Sequence, residues 1–278
     1  MKTLDEVRSQ FQSLERLKRG GQKTVYKAIQ NDGTTVAFKV INDYCDARVL
    51  QEIEILKKLH LMGVPKIIES GIVRDTEIDE NLLYIIEEFL EGTSLREWLD
   101  GGNIFNLRQA IGALEALLNI ECSLEKKQIL HRDINPNNII LSSNMEIYLI
   151  DFGLAKILGG SSLTQTMAHM GPFTPGYAPH EQVANIKLKQ DVRTDLFQIG
   201  VTIYECCTGK NPFKEEAGSL GSVVGNTCYR SVPVLSLAGD IKGEFGNLVN
   251  MMMAKNQSQR PDSAQKALKY LELIKSSL

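Results

Sequence analysis

From Val25 to Phe89, the pattern of hydrophobic and polar positions is mostly that of β-strands. Two runs rich in β-branched and aromatic residues, 25–29 and 35–40, flank the sequence Asn31-Asp32-Gly33. An Asp-Gly pair between two such runs is a strong signal for a tight turn. The pattern therefore predicts a β-hairpin, and strand signals continue to about Phe89.

Helical periodicity interrupts the strands once and dominates after Gly92. The interruption is a predicted amphipathic helix whose apolar positions recur every three residues, at Leu50, Ile53, Leu56 and Leu59. A longer predicted helix has apolar residues at the i, i+3, i+4 and i+7 positions, namely Leu107, Ala110, Ile111, Leu114, Leu117 and Leu118. Segments 248–253 and 264–274 are predicted as further core helices.

This order of elements predicts an α+β fold with two lobes. A small antiparallel sheet with one helix would occupy about residues 12–88, followed by a hinge at 88–92. A larger, mostly helical lobe would occupy residues 93–278. A chain of 278 residues can bury a large core but has little room for further modules.

Composition excludes several classes of function. The net charge is −3 with 23 % charged residues, so the chain lacks the basic field that nucleic-acid binding requires. No apolar run reaches the roughly 18 residues of a membrane span, and the charged N-terminus has no signal-peptide core. The 5 cysteines form no CxxC motif, which favours reduced, buried thiols in a cytoplasmic protein.

Two short motifs carry the candidate chemistry. The segment 131–138 reads His-Arg-Asp-Ile-Asn-Pro-Asn-Asn, and Asp151-Phe152-Gly153 follows it. One carboxylate, Asp133, can accept the proton of a substrate hydroxyl, which needs a group that is ionised at neutral pH. Asn138 and Asp151 offer the oxygen ligands that suit Mg²⁺. This spacing is typical of phosphoryl transfer.

With these motifs the chain resembles the eukaryotic-type (Hanks-type) Ser/Thr protein kinases over about residues 12–275. A second block, 171–181, resembles the end of the kinase activation segment, and Thr174-Pro175-Gly176-Tyr177 resembles the Ser/Thr form of its substrate-binding loop. The resemblance implies transfer of the ATP γ-phosphate to Ser/Thr hydroxyls of protein substrates, with ATP and Mg²⁺ as cofactors. Autophosphorylation is a further expectation.

The same resemblance assigns the site residues. The catalytic set is Asp133 as base, Lys39 on the phosphates, and Asn138 and Asp151 as metal ligands. The implied nucleotide-binding set is Gly20, Gly21, Val25, Ala37, Lys39, Glu52, Glu88, Leu90, Ile140 and Asp151. Glu52 is the expected ion-pair partner of Lys39.

Four further residues have structural or regulatory roles in this resemblance. Glu181 and Arg260 are expected to form a buried ion pair in the helical lobe. Asp195 is expected to bond the backbone of the catalytic loop. Because Arg132 precedes Asp133, a phosphate on the activation segment could bind it, and the candidate acceptors are Ser161, Ser162, Thr164 and Thr166.

Three departures from the family pattern leave alternatives open. The glycine loop keeps only Gly20 of its three glycines, with Gly21 beside it. Asn135 stands where a Lys is usual, and Glu87, just before the hinge, could compete for Lys39. A pseudokinase that serves as a nucleotide-binding or scaffold module is therefore the first alternative, and a small-molecule phosphotransferase is the second.

Overall fold

The computed structural model describes residues 2–19, 23–42, 53, 57, 61–151 and 173–278. Within these ranges the chain divides into two units, with the boundary between Glu91 and Gly92. The helix predicted around residues 50–59 lies outside the described residues, except for its two positions at 53 and 57.

The first unit contains a five-stranded antiparallel sheet, as the strand pattern predicted. Its strands follow the spatial order β1-β2-β3-β5-β4, with every neighbouring pair antiparallel. They are β1 (Phe11–Arg19), β2 (Lys23–Gln30), β3 (Thr35–Ile41), β4 (Ile67–Asp75) and β5 (Glu80–Glu88).

The predicted hairpin between β2 and β3 is confirmed. Gly33 has a φ angle of 87°, in the left-handed region that glycine adopts without a steric penalty. Its N–H donates to the Gln30 carbonyl at 2.9 Å, and the Asp32 carboxylate accepts the Thr34 N–H at 2.8 Å. The Asp-Gly pair thus closes the turn through its own side chain and its backbone freedom.

The two faces of this sheet differ in chemistry. One face carries an apolar core in which Phe38 of β3 lies between Phe11 and Tyr84, with ring centroids 5.1 and 6.4 Å away. Because side chains alternate along a strand, Lys39 necessarily points to the opposite face. The hydrophobic pattern of β3 therefore decides where the lysine is presented.

A short helix, α1 (Leu4–Arg8), covers part of this core, although the pattern did not predict it. Leu4 and Val7 are buried in the same apolar cluster, and Thr3 with Glu6 forms a capping box at the N-terminus of the helix. The helix has 5 residues, which is too short for a helical period to appear in the sequence. The sheet unit therefore extends before residue 12.

The second unit is mostly helical, and the α+β class is confirmed. Its helices are α2 (Leu95–Asp100), α3 (Leu107–Lys126), α4 (His180–Val183), α5 (Val192–Thr208), α6 (Leu220–Tyr229), α7 (Glu244–Met252) and α8 (Ala264–Ser277). A small sheet joins β6 (Thr93–Ser94), β7 (Ile139–Leu141) and β8 (Ile147–Leu149). The three helices predicted after residue 100 correspond to α3, α7 and α8.

Helix α5 is the centre of this unit. Asp191 caps its first turn, and Gly209, with a φ angle of 75°, ends it. Almost every residue of α5 is buried, and it packs against α3, α7 and α8. Polar side chains on α5 therefore lie inside the unit and need partners there.

Four cysteines, Cys122, Cys206, Cys207 and Cys228, are free and buried, as the sequence predicted. Cys45 lies outside the described residues. Among the helices of the described ranges, none combines the length and apolar composition that a membrane crossing demands.

One buried carboxyl group on α3 is an exception to the rule that buried polar groups are paired. Glu121 is 0 % exposed, and neither of its carboxyl oxygens has a hydrogen-bond partner in the described part of the chain. Burial, followed by the neighbouring carboxylates of Asp195 and Glu125, raises the pKa of Glu121 well above its ordinary value. Glu121 therefore opposes folding whenever it must ionise.

We expect Glu121→Leu to stabilise the protein at pH 7 by about 1–3 kcal/mol, because it removes an unsatisfied buried polar group. The folded pKa lies above the unfolded value, so the wild type loses stability as the pH rises from the unfolded pKa through the folded pKa. Thermal melts between pH 5 and pH 8 should show a growing gap between variant and wild type. Glu121→Gln, which keeps a polar group but cannot ionise, should remove the pH dependence alone. A gap that is constant with pH would contradict this account.

Candidate active site

The loop 131–138 is held to helix α5 by one buried carboxylate. Asp195 accepts the backbone N–H of His131 at 2.7 Å and that of Arg132 at 2.6 Å. The His131 ring lies 3.1 Å from the Ile150 carbonyl through Nε2, while its Nδ1 accepts the Asp133 N–H at 3.3 Å. The predicted support from Asp195 is confirmed, and it fixes the loop immediately before Asp133.

The Asp133 carboxylate is oriented by three side chains. Its Oδ2 accepts the Asn138 amide at 2.8 Å. Its Oδ1 accepts the Asn135 amide at 3.0 Å and the Thr174 hydroxyl at 2.5 Å. An ionised carboxylate accepts only, so these donors favour its charged form. A carboxylate held in this way can accept a further alcohol proton.

Asn135 does not replace the cation that is usual at its position. Its amide nitrogen donates to the backbone carbonyl of Asp133 at 2.9 Å, and its oxygen accepts the Asn137 N–H at 3.0 Å. It therefore caps the 3₁₀ turn Pro136–Asn138. At this position the side chain supports Asp133 and the turn that follows it.

Of the two predicted metal ligands, Asn138 ends the loop 131–138 and Asp151 follows β8. Asn138 is buried and directs its amide nitrogen at Asp133, so its carbonyl oxygen points elsewhere. The Asn138 backbone carbonyl accepts the Ile150 N–H at 2.9 Å, which ties the loop to the residue before Asp151. Asp151 has a φ angle of 61°, a strained conformation that an Asp tolerates at functional sites. One carboxamide and one carboxylate oxygen form a donor set that fits a hard divalent cation.

In the first unit, Lys39 forms an ion pair inside the sheet. Its Nζ lies 2.5 Å from a carboxylate oxygen of Glu87, and the two side chains are 3 % and 8 % exposed. Lys39 lies opposite Ile85 and Glu87 lies opposite Ala37, so the pair is a diagonal neighbour on one face. Glu52, the predicted partner, lies outside the described residues. The sequence indicated that Glu87 could compete for Lys39, and in the structure the two side chains form an ion pair.

The remaining predicted nucleotide-binding residues lie on different structural elements. Val25 lies opposite Lys39 on the same sheet face, and Ala37 is on that face too. Glu88 ends β5, and Leu90 follows it in the first unit. Ile140 belongs to β7 of the second unit. Gly20 and Gly21 lie outside the described residues.

The segment 173–183 is anchored by a second buried carboxylate, that of Glu205. The Tyr177 hydroxyl donates to Glu205 of α5 at 2.5 Å, and Arg96 of α2 donates to the other Glu205 oxygen at 2.7 Å. Burial, together with Glu205, raises the pKa of Tyr177. The phenol therefore stays a donor, and it fixes the residues that follow Thr174.

The predicted pair of Glu181 and Arg260 is confirmed. Arg260 donates to Glu181 Oε1 at 2.6 Å and to Oε2 at 3.4 Å, and both side chains are buried. Arg260 also donates to the carbonyls of Ala254 at 2.7 Å and Arg193 at 3.0 Å. The guanidinium thus joins α4 to the start of α5 and to the loop after α7.

Two glutamines that the motifs did not single out also contact the loop. Gln182 and Gln198 are buried, and both donate to the Arg132 carbonyl at 2.8 Å. A sequence signal did exist for Gln198, because it follows Asp195 by three residues and so shares its face of α5. For Gln182 the sequence offered no comparable signal.

The family described as "Protein kinase domain" matches residues 11–271 of this chain. A probable serine/threonine-protein kinase of Clostridium perfringens is 26 % identical over 96 % of this chain and 38 % of its own length. The kinase PknL of Mycobacterium tuberculosis (strain H37Rv) is 28 % identical over 87 % of this chain and 59 % of its own length. The kinase cds1 of Schizosaccharomyces pombe is 28 % identical over 91 % and 56 %, respectively. The chain thus spans about 40–60 % of the length of these curated relatives.

We expect Arg260→Ala to lower the free energy of unfolding by about 3–5 kcal/mol, because it strands the buried Glu181 carboxylate. Chemical denaturation monitored by fluorescence measures this change. The control is Lys275→Ala, which breaks the exposed pair with Glu115 and should have little effect. Equal losses in the two variants would show that burial does not set the strength of the Glu181–Arg260 pair.

Proposed function

Because the chain belongs to the protein kinase domain family, we propose that it transfers the γ-phosphate of ATP to Ser/Thr hydroxyls of protein substrates. The observation that carries the proposal is the hydrogen bond from the Thr174 hydroxyl to the Asp133 carboxylate at 2.5 Å. That contact is the interaction a substrate serine or threonine needs with a general base. The family match over residues 11–271 leaves a small-molecule phosphotransferase without support.

In the proposed reaction Asp133 works through position and charge. The incoming hydroxyl donates its hydrogen bond to the Asp133 carboxylate, which directs the oxygen lone pair toward the phosphorus and receives the proton as the new P–O bond forms. Asn135 and Asn138 hold the carboxylate in one rotamer while this occurs. The transferred group departs from ADP, so no redox change or covalent enzyme intermediate is needed.

Mg²⁺ is the divalent cation that we propose for Asn138 and Asp151. It would neutralise charge on the nucleotide phosphates when bound. The support is the chemistry of the two ligands, a carboxamide oxygen and a carboxylate, neither of which favours a soft metal. We also propose a cytoplasmic location, which is supported by the four free, buried thiols.

Lys39 is proposed to contact the α- and β-phosphates. In the structure its Nζ already lies 2.5 Å from a carboxylate oxygen of Glu87. A neutralised, immobile ammonium is a weaker attractor for phosphate than a free one, but it loses no rotamer freedom on binding. We propose that the Lys39–Glu87 pair is compatible with nucleotide binding in this chain.

We expect Asp151→Ala and Lys39→Met each to reduce phosphoryl transfer by about 10²-fold or more, because both act on the phosphates. The measurement is transfer of radiolabelled γ-phosphate to a generic basic protein and to the chain itself. Lys39→Met also removes the Lys39 contact of the buried Glu87 carboxylate, so the Lys39→Met/Glu87→Met double variant is the matched control for folding. The double variant should regain thermal stability but not activity.

Full activity in Asp151→Ala would refute the proposed function. A wild type that binds ATP, as seen by a thermal shift, yet transfers no phosphate would instead support the pseudokinase alternative. Recovery of a phosphorylated peptide from the same assay tests whether the substrates are proteins.

We further propose that phosphorylation between residues 153 and 173 increases activity. The support is Arg132, whose Nε is buried and has no hydrogen-bond partner among the described residues. An unsatisfied guanidinium N–H is a suitable donor for a phosphate oxygen. The candidate acceptors Ser161, Ser162, Thr164 and Thr166 lie outside the described residues.

After incubation with ATP and Mg²⁺, mass spectrometry should find phosphate on at least one of these four hydroxyls. Changing all four to Ala should lower activity toward a peptide by about tenfold or more. The matched control is a change of Ser276 and Ser277 at the end of α8 to Ala. If the fourfold variant keeps wild-type activity, Arg132 has another role.

A further inference from the structure

Two buried side-chain amides bond to the backbone next to Asp133, the proposed base. Gln198 lies on α5 and Gln182 lies on α4, and they are 1 % and 0 % exposed. Their bonds to the loop 131–138 go to its backbone, at the Arg132 carbonyl and the Ile134 N–H. Their contribution must therefore act through the position of the loop.

Gln198 binds the peptide groups on both sides of Asp133. Its Nε2 donates to the carbonyl of Arg132 at 2.8 Å, and its Oε1 accepts the N–H of Ile134 at 2.8 Å. A primary carboxamide carries a donor and an acceptor side by side. Gln198 thus binds residues 132 and 134 as a neighbouring strand would, with Asp133 between them.

Gln182 fixes the orientation of that amide. Its Oε1 accepts the second N–H of Gln198 at 2.8 Å, and its own Nε2 donates to the Arg132 carbonyl at 2.8 Å. If the Gln198 amide were reversed, its nitrogen would face the Ile134 N–H and its oxygen would face two acceptors. The arrangement therefore has one satisfied state.

The glutamines hold a strained residue in place. Arg132 has a φ angle of 62°, a left-handed conformation that side-chain-bearing residues rarely adopt. Asp195 holds its N–H at 2.6 Å, and the two amides hold its carbonyl. Strain of this kind persists where the surroundings fix both ends of the residue. Releasing the carbonyl would let the next residue, Asp133, rotate away.

We propose that Gln198, oriented by Gln182, is a positioning residue that aims the Asp133 carboxylate for phosphoryl transfer. The inference rests on the function proposed for Asp133. Because these amide bonds go to the backbone of the loop 131–138, we expect their loss to affect kcat and not the KM for ATP.

The first test compares Gln198→Met with the wild type. Methionine has a similar length but offers no strong donor or acceptor. We expect kcat to fall about 10- to 100-fold, as small misplacements of catalytic groups do, while the KM for ATP stays within about twofold. The matched control is Thr202→Val on the same helix. Thr202 is buried and lies 3.5 Å from the Ile134 carbonyl, too far for a strong bond, so kcat should be unchanged.

The second test uses Gln198→Glu and pH. Its oxygen can still accept the Ile134 N–H, but only the protonated carboxyl can donate to the Arg132 carbonyl. A buried carboxyl group protonates above its ordinary pKa. The kcat of Gln198→Glu relative to wild type should therefore rise as the pH falls from 8.5 to 5.5. A purely structural loss would give a ratio that does not vary in this direction.

The third test is the cycle of Gln182→Met, Gln198→Met and the double variant. The two amides share one carbonyl and one mutual bond, so the double variant should be scarcely slower than Gln198→Met alone. Fully additive losses in kcat would indicate independent roles and would contradict the proposed arrangement.

Hydrogen exchange of the Ile134 amide separates this inference from the proposed function. Gln198→Met should accelerate that exchange at least tenfold relative to Thr202→Val, whether or not the protein transfers phosphate. An inactive wild type would refute the proposed function, and unchanged exchange would refute the amide arrangement. An active wild type with an equally active Gln198→Met, or a flat pH ratio for Gln198→Glu, would overturn the positioning role.

Discussion

The position of the loop 131–138 depends on its hydrogen bonds to the buried Asp195 carboxylate. Its two oxygens accept the N–H groups of His131 and Arg132 at 2.7 and 2.6 Å. A charged acceptor that is fully buried is stable only when it is satisfied, and removing its partners would cost several kcal/mol. Because Asp195 sits in the first turn of the central helix, the catalytic loop takes its position from the most deeply packed element of the unit.

The rest of the candidate site extends this principle, since side chains supply the hydrogen bonds that an irregular loop cannot supply itself. Gln198 continues the row one turn along α5, and Gln182 reaches the same Arg132 carbonyl from α4. Asn135 and Asn138 then satisfy the Asp133 carbonyl and carboxylate. Each backbone group around Asp133 therefore has one geometry in which it is paired.

Among the residues that the structure describes, three ion pairs are buried or partly buried, whereas the buried Glu121 carboxyl group lacks a hydrogen-bond partner. Glu181 with Arg260, Glu205 with Arg96, and Lys39 with Glu87 form buried or partly buried pairs. Glu121 has no such partner and lies near Asp195, which contributes to its raised pKa. A proton on Glu121 leaves the charge of Asp195 available to the loop, because two adjacent carboxylates cannot both ionise without cost.

Sequence alone was sufficient for features that depend on local order. The Asp32-Gly33 turn and the apolar period of α3 are short-range properties, and each appears in the structure as predicted. The resemblance to the protein kinases also predicted the Asp195 and Glu181–Arg260 contacts. These contacts are distant in sequence, so the resemblance to a family supplied what local patterns could not.

Tertiary structure decided the features that depend on which polar groups meet inside the unit. Gln198 is 64 residues from Ile134 in the chain, and no periodicity specifies which way a buried amide faces. The same holds for Glu87, whose sequence position permitted competition for Lys39 but whose 2.5 Å contact follows from the register of β3 against β5. Helix α1 was missed because five residues show no period, and its stability depends on packing against the apolar cluster under the sheet. Sequence patterns record which residues avoid water, whereas the pairing of buried polar groups is set by three-dimensional geometry.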